Sequence, residues 1–313
     1  MVEEKLFHTI IRKLCEEKDI KLEKLSFDWI LQLTKNNKVR HITGSNFDLN
    51  PEASGHIACD KYATYQVLKS LDVSVIEHFI IFNPLVREKY IDDSGIFSII
   101  NEGLKNNKKV VIKPNFGYEG KGVYLCNNLK EAEIAVHKLF KNSSSLSMCP
   151  FYDIVTEFRT FYLDGKIHLI YGKTKPQVVG NGKDTLGYLI SELNLPKKLV
   201  VEENVGLLDL DYVPKKDEVV YISWKHNLSG GATFDILKKG KLYSEIEDLA
   251  LKAGKAMNLK FATIDIILTS DNNLYVLEVN SGIGTSIFIN SIDGGYDLIK
   301  NIYNEAIDLL FKE

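Results

Sequence analysis

The sequence predicts an α+β protein, a small mixed lobe followed by a larger antiparallel sheet with helices against one face. Three observations carry that expectation. In "IVTEFRTFYLDGKIHLIYGKTKP" two β-rich runs are joined by Asp164-Gly165, the strongest short-range hairpin signal. A second pair, "FATIDIIL" and "LYVLEVN", is separated only by the polar turn "TSDNN". Around them, "SEIEDLALKAGKAM" and "YDLIKNIYNEAIDLLFK" carry apolar residues at helical spacing.

Taken in order, Leu6, Ile10, Ile11 and Leu14 predict an amphipathic helix, and residues 1–50 read as a short helical region. A polar stretch, Arg40 to Gly55, ends it. "DKYATYQVLKSL" is a helix with Asp60 at its N-cap. "VSVIEHFIIF" and "KVVIK" are strands, and "NLKEAEIAVHKLFKN" is a helix with Ile134, Val136, Leu139 and Phe140 on one face. "KNSSSLSMCP", Lys141 to Pro150, is the expected break between lobes, which divides the rest into 51–146 and 147–313. "EVVYISWKHN" is a further strand. No internal repeat or low-complexity segment is present.

Composition narrows the function classes. The chain is 45% hydrophobic and 26% charged with net charge −3, which offers no electrostatic reason for a nucleic-acid or polybasic-membrane partner. Cys15, Cys59, Cys126 and Cys149 are scattered without C-x-x-C spacing, so structural zinc and disulfides are not expected. No run approaches the ~18 apolar residues of a membrane span, and the N-terminus lacks a signal peptide's apolar core. The expectation is a soluble cytoplasmic protein.

Four constellations could carry chemistry. Asp265 is brought near Glu278 and Asn280 by the second hairpin, and i, i+2 spacing puts the last two on one face. Acidic and amide oxygens in apolar strands suit Mg²⁺, though polar residues at solvent-facing strand ends would read the same way. Lys61 at a helix start and Lys113 at the end of "VVIK" suit phosphate neutralisation; for Lys61 an ordinary surface lysine is the alternative. Gly117, Gly120 and Gly122 after Lys113 match neither Walker A nor the dinucleotide fingerprint, yet allow backbone N–H groups to approach phosphates. "SWKHNLSGGATFD" offers Lys225, His226 and Asn227 before a Ser-Gly-Gly turn, and "TEFR" sets Glu157 and Arg159 on one strand face. A plain turn and a charged surface are their alternatives.

In this order, "DKYATYQVL", "VVIKPNFGYEGKGV", "TEFRTFYLDGKI", "WKHNLSGGA", "IDIIL" and "YVLEVNSG" resemble the ATP-grasp superfamily of carboxylate–amine ligases, over roughly Asn50 to Phe311. The branch with cyanophycin synthetase, glutathione synthetase-type domains and glutamate-adding ligases is the most similar. The resemblance implies two α/β lobes gripping ATP, with Lys61 and Lys113 on its phosphates and the glycine loop as a lid. It further implies adenine against the backbone of Met148, Cys149, Pro150, Phe151 and Tyr152, and ribose on Glu157. Arg159, Lys225 and Asn227 would face the phosphates or the activated carboxylate, with Lys173 on the phosphate or substrate side. Asp265, Glu278 and Asn280 would hold one or two Mg²⁺, for which Mn²⁺ can substitute. The implied reaction joins a carboxylate, on an amino acid or peptide, to an amine. A kinase of polyols or inositol phosphates on the same scaffold, or a non-catalytic ATP-binding module, are the alternatives. The N-terminal region is shorter than the family's, so the acceptor would dock by other means, such as a peptide along the sheet or the partner of a homodimer.

Overall fold

The computed structural model describes residues 5–86, 95–117, 120–193, 208–226, 232–285, 288–289 and 292–312. Helix α1 (Leu6–Glu17) buries Ile10, Ile11 and Leu14, as their spacing requires. The chain after it corrects the expectation of a helical N-terminal region. Strands β1 (Lys21–Leu25), β2 (Ile30–Lys35), β3 (Lys38–Thr43) and β4 (Asn46–Phe47) form an antiparallel meander in the order β1-β2-β3-β4. Leu31 and Leu33 alternate inward on β2. Asn36 and Asn37 both take positive φ, 49° and 62°, the backbone of a two-residue hairpin loop. The alternation is short and embedded in charged residues, which is why the sheet does not stand out from the sequence.

Helix α2 (Glu52–Cys59), unforeseen, leads into α3 (Lys61–Ser70), where the Asp60 side chain accepts from Ala63 N at 2.8 Å as the expected cap. The anticipated strand "VSVIEHFIIF" is regular only at β5 (Phe79–Phe82); upstream, Val75 makes one parallel bridge to Val276. Then come α4 (Ile96–Asn107), β6 (Val110–Pro114), β7 (Tyr124–Cys126), α5 (Leu129–Leu139) and β8 (Ser145–Pro150). The sheet order is β5-β8-β6-β7, so β8 pairs on both sides inside the first lobe. The expected lobe break at Lys141–Pro150 is therefore displaced: the chain leaves the first sheet only at Phe151. On α5 the buried face is Ala132, Ala135, Val136 and Leu139, an i, i+3, i+4, i+7 stripe, and Ile134 is exposed.

The second lobe runs β9 (Ile154–Leu163), β10 (Lys166–Lys173), β11 (Gln177–Val179), α6 (Leu186–Ser191), β12 (Val219–Tyr221), β13 (Phe234–Ile236), α7 (Lys241–Ala256), β14 (Phe261–Thr269), β15 (Leu274–Asn280) and α8 (Gly295–Phe311). Of "EVVYISWKHN", only Val219–Tyr221 is strand. Asp164 and Gly165 turn the first hairpin with φ of 44° and 80°. The main sheet, β13-β10-β9-β14-β15, has two unlike faces. One carries Phe158, Tyr162, Ile170, Ala262, Ile264 and Ile266 beneath α7. There a Cβ on Gly254 would stand 2.5 Å from the Tyr162 ring. On the opposite face Phe161, Leu163, Leu169 and Phe261 pack under α1, the meander and α8. Phe47 of β4 meets the Phe261 ring at 5.1 Å and the Tyr303 ring at 5.5 Å. Beyond those residues the same face turns polar: Glu157, Arg159, Lys173 and Asp265 continue the alternation where no described helix packs on it. No described helix is long and apolar enough to cross a membrane.

Candidate active site

Asp265 is the centre of the polar half-face. In register it lies opposite Arg159 on β9 and Glu278 on β15, with a bulge just beyond it on the β15 side. Arg159 Nε and Nη2 donate to its two carboxylate oxygens at 2.7 and 2.6 Å, a bidentate pair. Lys173 Nζ lies 3.6 Å from Asp265 Oδ1 and also donates to Glu157 Oε1. Asn280 Nδ2 donates to Glu278 Oε1 at 3.3 Å. Four adjacent strands thus present one connected charged row.

The row's electrostatics come from burial set against pairing. Burial alone would raise the Asp265 carboxyl, but the charges of Arg159 and Lys173 and the Arg159 hydrogen bonds hold it down at about 2. For Glu157 burial wins over the Lys173 charge and pushes its carboxyl up, helped by the neighbouring Asp265 and Glu278.

Two lysines precede this row in the chain, Lys61 on α3 and Lys113 on β6. Burial lowers the Lys61 ammonium; Glu278 pulls it back up and Lys113 pushes it further down, so all three share one electrostatic neighbourhood. Lys61 Nζ donates to Gly117 O at 2.9 Å and to Asn115 O at 3.4 Å. Lys113 is buried on β6 opposite Ser147, whose hydroxyl lies 2.6 Å from His78 Nδ1. Burial, then the charges of Lys113 and Lys61, hold His78 well below the usual imidazole range and so neutral. The sequence leads one to expect both lysines to converge with the acidic row; the charge of Glu278 reaches Lys61, and so does that of Lys113.

The glycine loop leaves β6 directly. Gly120 and Gly122 take φ of 66° and 68°, and a Cβ on Gly122 would be 2.9 Å from Leu139. Tyr118 and Glu119 lie outside the described residues. In the segment that the resemblance sets against adenine, Met148 points into the first-lobe core. Cys149, Phe151 and Tyr152 join Val111, Ile267 and Leu277 in an apolar cluster between the lobes. Phe151 packs edge-on to Trp224 at 6.0 Å, and Tyr152 lies against Tyr275 at 5.4 Å. The Phe151 amide already donates to Lys109 O at 3.1 Å. Lys225 Nζ lies 5.6 Å over the ring of Trp224, which packs against that apolar cluster. Asn227 lies outside the described residues.

Donor chemistry decides whether this row fits Mg²⁺. Among the described residues no group of three or more His, Cys, Asp or Glu could hold a metal ion. Mg²⁺ needs less, one or two carboxylates with the rest of its shell from water and phosphate. Asp265 is firmly ionised, Glu278 stands across from it, and Asn280 adds an amide beside Glu278. Arg159 uses one lone pair on each Asp265 oxygen, and a carboxylate has about four. The residues fit the ion.

Several features near the row are not apparent in the sequence. Asn115 is fully buried; its Oδ1 accepts from Tyr62 N at 3.1 Å, while among the described residues its Nδ2 has no partner. The only local signal for it is its position two residues after Lys113. The His78–Ser147 pair joins residues 69 apart in sequence and has no local signal. A separate open cavity of about 730 Å³, lined by Lys35, Lys38, Asp164, Lys166, Glu305 and Lys312 among others, sits at the hairpin tip, the far end of β9 and β10 from Glu157 and Lys173.

Comparison with known proteins agrees with this geometry. Residues 223–304 match the RimK-like ATP-grasp domain. The cyanophycin synthetase of Trichormus variabilis is 25% identical over 327 residues, covering 96% of this chain and 34% of the relative. The glutathione biosynthesis bifunctional protein GshAB of Listeria innocua is 24% identical, covering 67% of this chain and 30% of that protein. This chain therefore spans about a third of the length of these relatives. A bifunctional glutathione synthetase from Pasteurella multocida superimposes with a TM-score of 0.56 at 18% identity, covering 96% of this chain and 44% of that one. A D-alanine–D-alanine ligase from Bacillus anthracis gives 0.55 at 15% identity, covering 85% and 70%. Shared topology over nearly the whole chain shows an ATP-grasp fold, and within it residues 223–304 are similar to the RimK-like ATP-grasp domain.

Proposed function

We propose that this chain is an ATP-dependent carboxylate–amine ligase that forms an amide or peptide bond on an amino acid or peptide and releases ADP and phosphate. The observation that carries this reading is the charged row Glu157–Arg159–Lys173–Asp265–Glu278 with Lys61 and Lys113 opposite it. Cations on one side and metal-fitting oxygens on the other suit a triphosphate lying between. The relatives' names, cyanophycin synthetase and glutathione biosynthesis protein, are those of enzymes that join amino acids, which supports the same class.

The chemistry is set by charge. A carboxylate oxygen of the substrate attacks the γ-phosphorus and ADP departs, leaving an acyl phosphate. An amine then attacks the carbonyl carbon, phosphate leaves and the amine loses a proton. Lys61 and Lys113 neutralise phosphate oxygens that gain charge, and Arg159, held by Asp265, is oriented before substrate arrives. The apolar cluster of Val111, Phe151, Ile267 and Leu277 suits adenine, and Glu157 lies between it and Arg159, where ribose hydroxyls would sit. Asp265, Glu278 and Asn280 would hold Mg²⁺, which would supply positive charge to offset that of the phosphates. The glycine loop, tied at its base to Lys61, would exclude water from the acyl phosphate.

Incubating the protein with Mg-ATP and a pool of amino acids and dipeptides tests the reading. ADP and phosphate should appear only when acceptors are present. Release of AMP, a stable phosphorylated product without amine consumption, or no turnover with any acceptor would overturn it.

A further inference from the structure

We infer that Asn46, on the N-terminal meander, is a positioning residue for Asn280, an inference that rests on the metal site proposed above. Asn280 is the last residue of β15, so no ladder bond holds the chain beyond it, and a strand end with nothing beyond frays. The direction of the Asn280 side chain then depends on what fixes residues 281–283.

The β3–β4 turn fixes them. Ser281 Oγ donates to Asn46 Oδ1 at 3.2 Å, and Ile283 N donates to Ser45 O at 3.2 Å. Between them Gly282 lies so close that a Cβ there would be 3.2 Å from both Ser45 Oγ and Asn46 Oδ1. The brace is itself rigid. The next residue, Phe47, is buried against Phe261 and Tyr303. Asn50 Oδ1 accepts from Lys260 N and Phe261 N at 2.8 and 2.9 Å, while its Nδ2 donates to Phe261 O at 2.7 Å. The meander is thereby tied to the first residues of β14, the strand that carries Asp265. One side of the metal-fitting set is held by the hairpin and the other by the N-terminal region.

The test is a double-mutant cycle of Asn46→Ala and Ser281→Ala, read as Mg²⁺-dependent affinity for a non-hydrolysable imido analogue of ATP, with amide exchange at Ile283 alongside. Asn46→Ala should weaken binding in Mg²⁺ about five-fold, the scale of one net hydrogen bond, and leave binding in excess chelator unchanged. Ser281→Ala should do the same, and the double variant should be no weaker than either single one. Exchange at Ile283 should quicken in each variant. If the unmodified protein binds the analogue but Asn46→Ala matches it in Mg²⁺, or the two losses add, the positioning role is overturned and the nucleotide reading survives. If the unmodified protein binds no analogue at all, both fall.

Discussion

Replacing Asp265 with Asn removes one charge from the row with little change of shape, and the structure fixes the expected cost. Asp265 is 1% exposed, and both of its oxygens accept from Arg159. Its carboxyl falls from the ordinary 3.8 to about 2, which at roughly 1.36 kcal/mol per tenfold corresponds to about 2 kcal/mol. Asparagine also turns an N–H₂ donor toward a guanidinium donor and leaves Lys173 with Glu157 alone. Breaking a buried pair in this way costs about 3–5 kcal/mol, but the Arg159 side chain is 22% exposed, so water recovers part of that. We expect a loss of about 3 kcal/mol in urea unfolding at pH 7, monitored by circular dichroism. A depressed carboxyl contributes stability that is present above its unfolded value of 3.8 and lost as pH falls through about 2. The difference between the two proteins should therefore shrink across that window. Adding Arg159→Met should restore part of the loss, because it removes the cation left without its partner. Equal unfolding midpoints for Asp265→Asn and the unmodified protein at pH 7 would refute the account of the row as a mutually compensated set.

Glu278→Gln should abolish Mg-ATP turnover with an unfolding midpoint unchanged or raised, because it relieves repulsion among Glu157, Asp265 and Glu278; normal turnover would refute the metal role. On the proposed reading, Lys61→Met should weaken nucleotide binding at least about ten-fold, measured by calorimetry, since it removes a cation proposed to neutralise the phosphates and unties Gly117 from α3. His226, 3% exposed, has its imidazole lowered from 6.5 to about 4 by burial and then by Lys175. The fold therefore binds fewer protons than the unfolded chain between those values, and about 3 kcal/mol should be lost as pH falls from 6.5 to about 4. A His226→Gln variant with the same pH slope across that range would refute that assignment. Gly254→Ala should lower the thermal midpoint by an amount equivalent to about 1–3 kcal/mol, because its Cβ would meet the Tyr162 ring at 2.5 Å.

How much of the fold and site is legible in the sequence depends on how far apart the interacting residues lie. The Asp164-Gly165 turn and the hairpin that joins Asp265 to Glu278 are local, so alternation and turn chemistry suffice to find them. The partner of Asp265 is not local. Arg159 reaches it through a β9–β14 register spanning 106 residues, and nothing near either residue specifies that pairing. The resemblance implies that Arg159 faces a phosphate or the activated carboxylate; in the fold its fork is on the Asp265 carboxylate, which orients it and keeps Asp265 ionised. The meander is hidden for a related reason. Its strands are short and polar on one side, and the apolar residues that give it purpose, Leu31, Leu33, Ile42 and Phe47, find partners in α1 and, far along the chain, in the second lobe. Those partners, Phe161, Leu163 and Phe261, share a sheet face with Glu157, Arg159 and Asp265. Alternation can say that these residues point the same way, but it cannot say where along the face core ends and site begins. That boundary is drawn by what covers the face, and here the cover is the N-terminal region, whose last turn grips the residues next to Asn280.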